Sequence, residues 1–267
     1  MIYTQPPGAI SRWNLPMSAP LIEIVPDKPA LVQRALTLVV EAIRSAVADH
    51  DYCALALAGG STPKPLYSGL AEQDLPWEKL YIFWGDERYV PIDHPDSNAG
   101  MAKAAWLDRV PIPPDHILVP PTLEGDPAAS ANQYNAMVRA VFGGLQGIST
   151  AEVPQFDLIL LGMGDDGHTA SLFPHTAALT VTDRLITVGN RGRDPRITFT
   201  APLINRSRQV LFLVAGADKQ TALGHVFAPE GDDHAYPSRL IRPQGELRWL
   251  IDRQAVGNLD LGQSSLP

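Results

Sequence analysis

Short apolar runs alternate with segments of helical periodicity along most of the chain. Residues 53–58 are apolar at every position, which is typical of a strand covered on both faces. Residues 29–49 instead repeat apolar side chains at helical spacing. Strands that alternate with helices predict an α/β fold with a mainly parallel sheet and helices on both faces. The predicted strands are 21–25, 53–58, 80–84, 117–119, 156–161, 185–188, 210–214 and 246–251, and the predicted helices are 29–49, 98–107, 128–141 and 217–227.

The chain is long enough to bury a sizeable core, since 45% of its 267 residues are hydrophobic. Its 25 prolines and 21 glycines fall between the apolar runs and indicate many short connections. The pattern contains no internal repeat and no clear linker. We therefore expect an irregular N-terminal leader over residues 1–18 and a single α/β domain over residues 19–267.

Charge and cysteine content narrow the class of protein. A formal net charge of -8 at pH 7 argues against non-specific nucleic-acid binding, which needs a basic surface. No apolar run reaches about 18 residues and the N-terminus does not resemble a signal peptide, so we expect no membrane segment. Cys53, the only cysteine, lies in an apolar run and is expected to be buried in a reduced, cytoplasmic protein. We expect a monomer or weak homo-oligomer that binds a small molecule.

Glycine-containing polar loops follow four of the predicted strands. In an open parallel sheet, ligands bind beyond the carboxyl ends of the strands. The loops that follow Ala58, Trp84, Leu161 and Val214 are therefore expected to converge on one site.

The first loop reads Gly59-Gly60-Ser61-Thr62-Pro63. Its glycines allow close approach of the backbone, and Ser61 and Thr62 offer hydroxyls and amides at the positive end of a helix that begins near Pro63. These features predict a phosphate-binding loop, although the spacing of a nucleotide P-loop is absent. An ordinary helix cap is the alternative.

The second loop reads Gly85-Asp86-Glu87-Arg88 and directly follows the predicted strand 80–84. An arginine at a strand end is suited to hold an anion or to stabilise a developing oxyanion. A solvated turn is the alternative for this charged segment.

The third loop, 162–174, begins with a Gly-x-Gly-x-x-Gly pattern that contains Asp165 and Asp166 and ends at Gly167, directly before His168. A bound dinucleotide would place its pyrophosphate against two carboxylates, so nucleotide binding is disfavoured. The unperturbed pKa of histidine, about 6.5, suits a general base at neutral pH, and Asp166 is placed to orient the ring. A structural histidine is the alternative.

The fourth loop ends at Lys219, which is placed to reach a phosphate from the first turn of a helix, with an ordinary surface lysine as the alternative. A basic run over 191–196 precedes an apolar segment, and Arg196 is its best-placed cation. The chain lacks a Gly-x-Ser-x-Gly elbow, and its other histidines lack metal-ligand spacing. We therefore expect a site that uses activated water without a metal or cofactor.

Taken in order, the four loops resemble the 6-phosphogluconolactonase family, within a superfamily that also contains glucosamine-6-phosphate isomerases and deaminases. The resemblance runs from about residue 21 to residue 252 and is carried by several motifs together. Its most specific segments are 58–63, 84–88 with 90–91 and 97–98, and 162–174. The segment 196–200 with Asn205 and the segment 216–219 also resemble the family.

The resemblance implies a Rossmann-like fold and hydrolysis of 6-phospho-D-glucono-1,5-lactone to 6-phosphogluconate, the second step of the oxidative pentose phosphate pathway. It implies that His168 deprotonates the attacking water, that Asp166 supports His168, and that Arg88 stabilises charge near the lactone. It also implies that Ser61, Thr62, Arg196 and Lys219 hold the phosphate, and Gly60 and Asp86 are further residues expected to bind the substrate or its phosphate.

Two other functions are weighed against this one. An amino-sugar or ketose phosphate isomerase or deaminase on the same scaffold would carry a tyrosine in place of Arg88 and an acidic Asn-Glu-Pro-like segment in place of residues 172–174, so both positions favour the lactonase. A sugar-phosphate sensor without turnover is the second alternative, and the presence of His168, Asp166 and Arg88 argues against it.

Overall fold

The computed structural model describes residues 19–122 and 126–261, so the predicted leader over residues 1–18 lies outside the described residues. No helix of the described residues is long and apolar enough to cross a membrane. The strands are β1 (Leu21–Val25), β2 (Cys53–Leu57), β3 (Leu80–Trp84), β4 (Asp86–Arg88), β5 (Leu158–Leu161), β6 (Ile186–Arg191), β7 (Asp194–Phe199), β8 (Gln209–Val214) and β9 (Glu246–Asp252). The helices are α1 (Lys28–His50), α2 (Pro63–Leu70), α3 (Asn98–Ala105), α4 (Pro127–Gln146), α5 (Ala201–Asn205), α6 (Gln220–Val226) and α7 (Arg253–Val256).

Six strands form one sheet in the order β1-β9-β8-β5-β2-β3, and every neighbouring pair is parallel. The central strands β2 and β5 are buried at every position, as their uninterrupted apolar sequences require. This sheet confirms the predicted α/β, Rossmann-like fold class. That residues 19–267 form a single domain stays a prediction.

Alternate residues of the strands face two separate cores. Leu55 and Leu57 of β2 pack in a core with α1, α2 and α3. Ala54 and Ala56 belong to the opposite core, which contains α4 to α7 and the inner faces of β6 and β7. Side-chain alternation along a strand explains this division, and it confirms that helices cover both faces.

Two predictions of local structure are wrong. Residues 86–88, expected to be a polar loop, form β4, which pairs antiparallel with β7 in a second sheet of order β4-β7-β6. Residues 117–119, expected to be a strand, make only an isolated bridge between Ile117 and Ile82. The first prediction failed because the partner of β4 lies far along the chain. In the second segment only Ile117 pairs with the neighbouring strand β3, so no ladder forms. Helix 217–227 is also shorter than expected, since residues 217–219 form a 3-10 turn before α6.

Two buried tyrosines hold the carboxyl ends of neighbouring strands from opposite faces of the large sheet. The Tyr67 hydroxyl accepts from the backbone N–H of Ala58 at 3.0 Å and donates to its carbonyl at 2.6 Å. The Tyr134 hydroxyl makes the same pair of contacts with Trp84, at 2.9 and 3.2 Å. Burial raises the pKa of both hydroxyls, so they stay protonated and able to donate. The loops after β2 and β3 therefore leave from fixed points.

Substituting Phe for Tyr67 or for Tyr134 is expected to lower the free energy of unfolding by about 1–3 kcal/mol each, because each change leaves a buried backbone N–H and carbonyl without a partner. Urea denaturation of the two variants measures the change. The control is Tyr81→Phe, because the described residues give the Tyr81 hydroxyl no hydrogen bond while its ring stacks on His116. We expect the control to stay within about 0.5 kcal/mol of the parent protein; equal losses in all three variants would contradict this role.

Candidate active site

The four glycine-containing loops meet at the carboxyl edge of the large sheet, where they line two adjoining cavities of about 310 and 250 Å³. Gly162 and Lys219 line both cavities, so the two spaces form one continuous site. This is the convergence that the order of the predicted strands requires. The first cavity is lined by Lys28, residues 58–63, Asp218 and Lys219, and the second by Gly85, Asp86, Arg88, His168, Arg191 and Arg196.

A turn after β5 holds His168 at the edge of the second cavity. The carboxylate Oδ1 of Asp166 lies 2.5 Å from Nδ1 of the His168 ring and also accepts from the His168 backbone N–H at 3.0 Å. The ring packs against Phe173, with 4.5 Å between centroids. Since Asp166 can accept only if Nδ1 carries the proton, this contact favours the tautomer with a lone pair on Nε2.

Asp166 remains charged beside this ring. Burial alone would raise the pKa of Asp166, but the hydrogen bonds from the His168 ring and backbone and the charge of the ring lower it to about 2. The carboxylate is therefore ionised at neutral pH. It can stabilise a positive charge on His168 without taking up the proton itself.

Two glycines make this turn possible. A Cβ on Gly164 would lie 2.0 Å from Nδ1 of His168, so the imidazole occupies the space that a side chain at position 164 would need. Gly167 has a φ of 77°, in the left-handed region, and a Cβ there would meet the Tyr236 ring at 2.8 Å. The backbone N–H of Ser238 also donates to the Gly167 carbonyl at 2.9 Å. The segment around Tyr236, which the sequence did not single out, thus supports the turn.

The second sheet places two arginines side by side. Arg88 of β4 lies directly opposite Arg196 of β7, and both line the second cavity. The Arg88 guanidinium donates to the Asp96 carbonyl at 2.7 Å, while the buried Nε atoms of both arginines lack a partner among the described residues. Burial, and then the charge of Arg88, lower the pKa of Arg196. Two adjacent guanidiniums with unused donors favour binding of an anionic group.

Buried carboxylates on β4 fix the surroundings of Arg88. Asp86 accepts from the Ser171 hydroxyl at 2.6 Å and from the side-chain amide of Asn98 at 3.4 Å. Some of the hydrogen-bond acceptors of this carboxylate are therefore used within the protein and are not free for a substrate. Glu87 accepts from the backbone N–H of Asn98 at 2.8 Å, of Ala99 at 2.7 Å and of Arg88 at 2.8 Å. Burial raises the pKa of Glu87. Glu87, which the sequence left without a role, anchors the start of α3 beneath the cavity.

The first cavity is built on the loop between β2 and α2. Gly60 has a φ of 97°, which turns the chain towards Ser61 and Thr62. Thr62 is the N-cap residue of α2, but its side chain makes no capping hydrogen bond. The alternative that Thr62 serves as an ordinary helix cap is therefore disfavoured. Lys219 lies here as expected, with its Nζ 2.8 Å from Asp218. Lys28 donates to the Ser61 hydroxyl at 3.4 Å and was missed, because its sequence neighbours carry no motif.

The structure brings all nine predicted site residues to this edge of the sheet, and their individual roles stay predictions. Arg196 lines only the second cavity, whereas Ser61 and Thr62 line only the first. Within residues 19–122 and 126–261, no three His, Cys, Asp or Glu side chains are grouped to hold a metal ion. The expectation of a reaction without metal or cofactor likewise stays a prediction.

Comparison with known proteins agrees with the geometry. The family described as "Glucosamine-6-phosphate isomerases/6-phosphogluconolactonase" matches residues 26–249. A protein named 6-phosphogluconolactonase from Synechocystis sp. is 57% identical over 90% of this chain and 99% of its own length.

Solved structures show the same relationship. The 6-phosphogluconolactonase from Trypanosoma cruzi superposes with a TM-score of 0.79 at 32% identity, covering 90% of this chain and 97% of that one. A monomeric glucosamine-6-phosphate deaminase, at 20% identity and a TM-score of 0.73 over 88% of this chain and 98% of that one, shares the fold. These matches confirm the resemblance read from the loops: the chain belongs to the family of glucosamine-6-phosphate isomerases and 6-phosphogluconolactonases.

Proposed function

We propose that this protein hydrolyses 6-phospho-D-glucono-1,5-lactone to 6-phosphogluconate, the second step of the oxidative pentose phosphate pathway. The observation that carries the proposal is the contact of Asp166 with His168, whose side chain lines the same cavity as Arg88. The first cavity, with Ser61 and Lys219, adjoins it, as a substrate with an ester at one end and a phosphate at the other requires. The 57% identity to a protein named 6-phosphogluconolactonase supports the same reaction.

In the proposed mechanism, His168 activates water. Nε2 takes a proton from a water molecule as its oxygen attacks the C1 carbonyl carbon of the lactone, and the charged Asp166 stabilises the resulting imidazolium. The carbonyl π bond becomes an oxyanion next to the guanidinium of Arg88. Collapse of this intermediate breaks the bond between C1 and the ring oxygen, and His168 returns its proton to that oxygen. Water is consumed, and no other reactant is needed.

We assign the two arginines to the lactone carbonyl and the first cavity to the phosphate. The resemblance assigns Arg196 to the phosphate, but its position opposite Arg88 supports a place beside the carbonyl that becomes a carboxylate. Ser61, Thr62 and the backbone at Gly60 are the groups we assign to the phosphate, together with Lys219. Cytoplasmic location and a monomeric or weakly associated state remain predictions from the sequence.

Replacing His168 with Ala is expected to lower kcat by about 10²–10⁴-fold, the usual contribution of a positioned general base. The measurement is the rate of acid release in a pH-stat, or a coupled 6-phosphogluconate dehydrogenase assay, with freshly made lactone and subtraction of its spontaneous opening. Binding of 6-phosphogluconate, measured by calorimetry, is expected to change by no more than a few-fold. Near-normal turnover by the variant would remove His168 from the role of base.

The same preparations separate the alternative functions. A sensor would bind 6-phosphogluconate with no rate above spontaneous opening of the lactone. A deaminase would release ammonia from glucosamine 6-phosphate, and an isomerase would convert an aldose phosphate to a ketose phosphate. We expect only lactone hydrolysis from the parent protein.

Gly164→Ala tests the geometry of the turn. The added methyl group would overlap Nδ1 of His168, so we expect the ring to leave its contact with Asp166 and kcat to fall at least about 10-fold. Gly144→Ala, in α4, is the matched control, because a Cβ there meets no atom within 4 Å. Steady-state kinetics and thermal unfolding of both variants are compared. Full activity of Gly164→Ala would show that the contact between Asp166 and His168 does not matter.

A further inference from the structure

Lys28 reaches the candidate phosphate loop from a distant part of the chain. It is the first residue of α1, yet its Nζ donates to the Ser61 hydroxyl at 3.4 Å and its side chain lines the first cavity with Lys219. Neither the sequence pattern nor the resemblance assigns it a role. Its contact with Ser61 connects α1 to the loop that precedes α2.

The backbone around Lys28 is held in place. Asp27 caps α1 by accepting from the backbone N–H of Ala30 at 2.9 Å, and Pro29 occupies the first turn of the helix. The preceding strand β1 pairs in parallel with β9. Asp252, at the end of β9, accepts from the Gly216 N–H at 3.1 Å and so fixes the loop that carries Lys219. One strand pair therefore positions both lysines at the same edge of the sheet.

The two lysines differ in how much of their charge is already neutralised. Lys219 lies 2.8 Å from the Asp218 carboxylate, and the hydrogen bond from Lys219 lowers the pKa of Asp218. Lys28 has no carboxylate within 4.0 Å of its Nζ among the described residues, and its neighbour Asp27 directs a carboxylate oxygen to the start of α1. A phosphate monoester carries about -1.5 to -2 charges at pH 7. A single lysine that already pairs with a carboxylate, as Lys219 does, leaves most of that charge without a partner.

We propose that Lys28 binds the 6-phosphate of the substrate together with Ser61 and Lys219, and that it makes the enzyme selective for phosphorylated over unphosphorylated lactones. This inference rests on the proposed lactonase function. The distance of 3.4 Å from Nζ to the Ser61 hydroxyl marks a weak contact that a phosphate oxygen can replace with a stronger, charge-assisted one. Lys28 is thus a substrate-binding residue that acts on selectivity.

The test compares Lys28→Met with Lys64→Met. Lys64 lies in the first turn of α2, is exposed and is not among the residues that line the first cavity, so its variant removes the same charge nearby. kcat/KM is measured with 6-phosphogluconolactone and with glucono-1,5-lactone. Lys28→Met is expected to lower the ratio of the two values by about 10- to 100-fold, mainly through KM, because a charge-assisted hydrogen bond is lost. Lys28→Arg is expected to restore part of the ratio, and Lys64→Met to leave it within about 2-fold.

Binding of inorganic phosphate and of 6-phosphogluconate, measured by calorimetry, gives a readout that does not depend on turnover. Weaker binding of both ligands by Lys28→Met, but not by Lys64→Met, supports the inference. If the parent protein hydrolyses neither lactone, that result overturns the proposed function but leaves the role of Lys28 in phosphate binding standing. An unchanged ratio with unchanged phosphate binding overturns the role of Lys28. Equal loss with both lactones also overturns it, because a general structural defect would explain that result.

Discussion

The structure depends on the parallel pairing of β2 with β3 and β5, which are covered by apolar side chains on both faces. A strand buried in this way has no room for charged groups, so the polar residues of the site lie beyond the carboxyl ends of these strands, on loops and on the small sheet of β4 and β7. The chain must then satisfy the last backbone groups of each strand before it enters a polar loop. Tyr67 and Tyr134 do so at Ala58 and Trp84, which gives the loops after β2 and β3 fixed starting points.

The small antiparallel sheet is a second constraint, and it is tied to the first. The Gly85 N–H donates to the Leu57 carbonyl at 3.0 Å, and the Gly85 carbonyl accepts from the Phe199 N–H at 2.8 Å. The end of β3 is thereby joined to both β2 and β7. This junction sets β4 against β7 and brings Arg88 opposite Arg196. Two like charges in register repel each other unless an anion lies near them, so their pairing favours binding of an anionic group.

Sequence reasoning succeeded where the signal was local. The apolar runs predicted the parallel strands, and the two-residue spacing of Asp166 and His168 predicted their contact, because both features are contained in short segments. Pairing between distant segments was not predictable: β4 read as a loop because its partner β7 lies far along the chain. Lys28 was missed for the same reason, since only the folded sheet brings the start of α1 to Ser61.

The arrangement of charge separates binding from catalysis. The chain carries a net charge of -8, yet lysines and arginines gather around the two cavities, so local fields must overcome a repulsive background that salt screens over about 8 Å. In the proposed reaction, the lysines near Ser61 bind a phosphate whose charge does not change, so they stabilise the bound substrate and the transition state alike and act on KM. In the same proposed reaction, Arg88 lies beside a carbonyl that gains negative charge only as water attacks. In this mechanism Arg88 therefore stabilises the transition state more than the substrate and raises kcat. The carboxylate product keeps the same contact with Arg88, which slows its release.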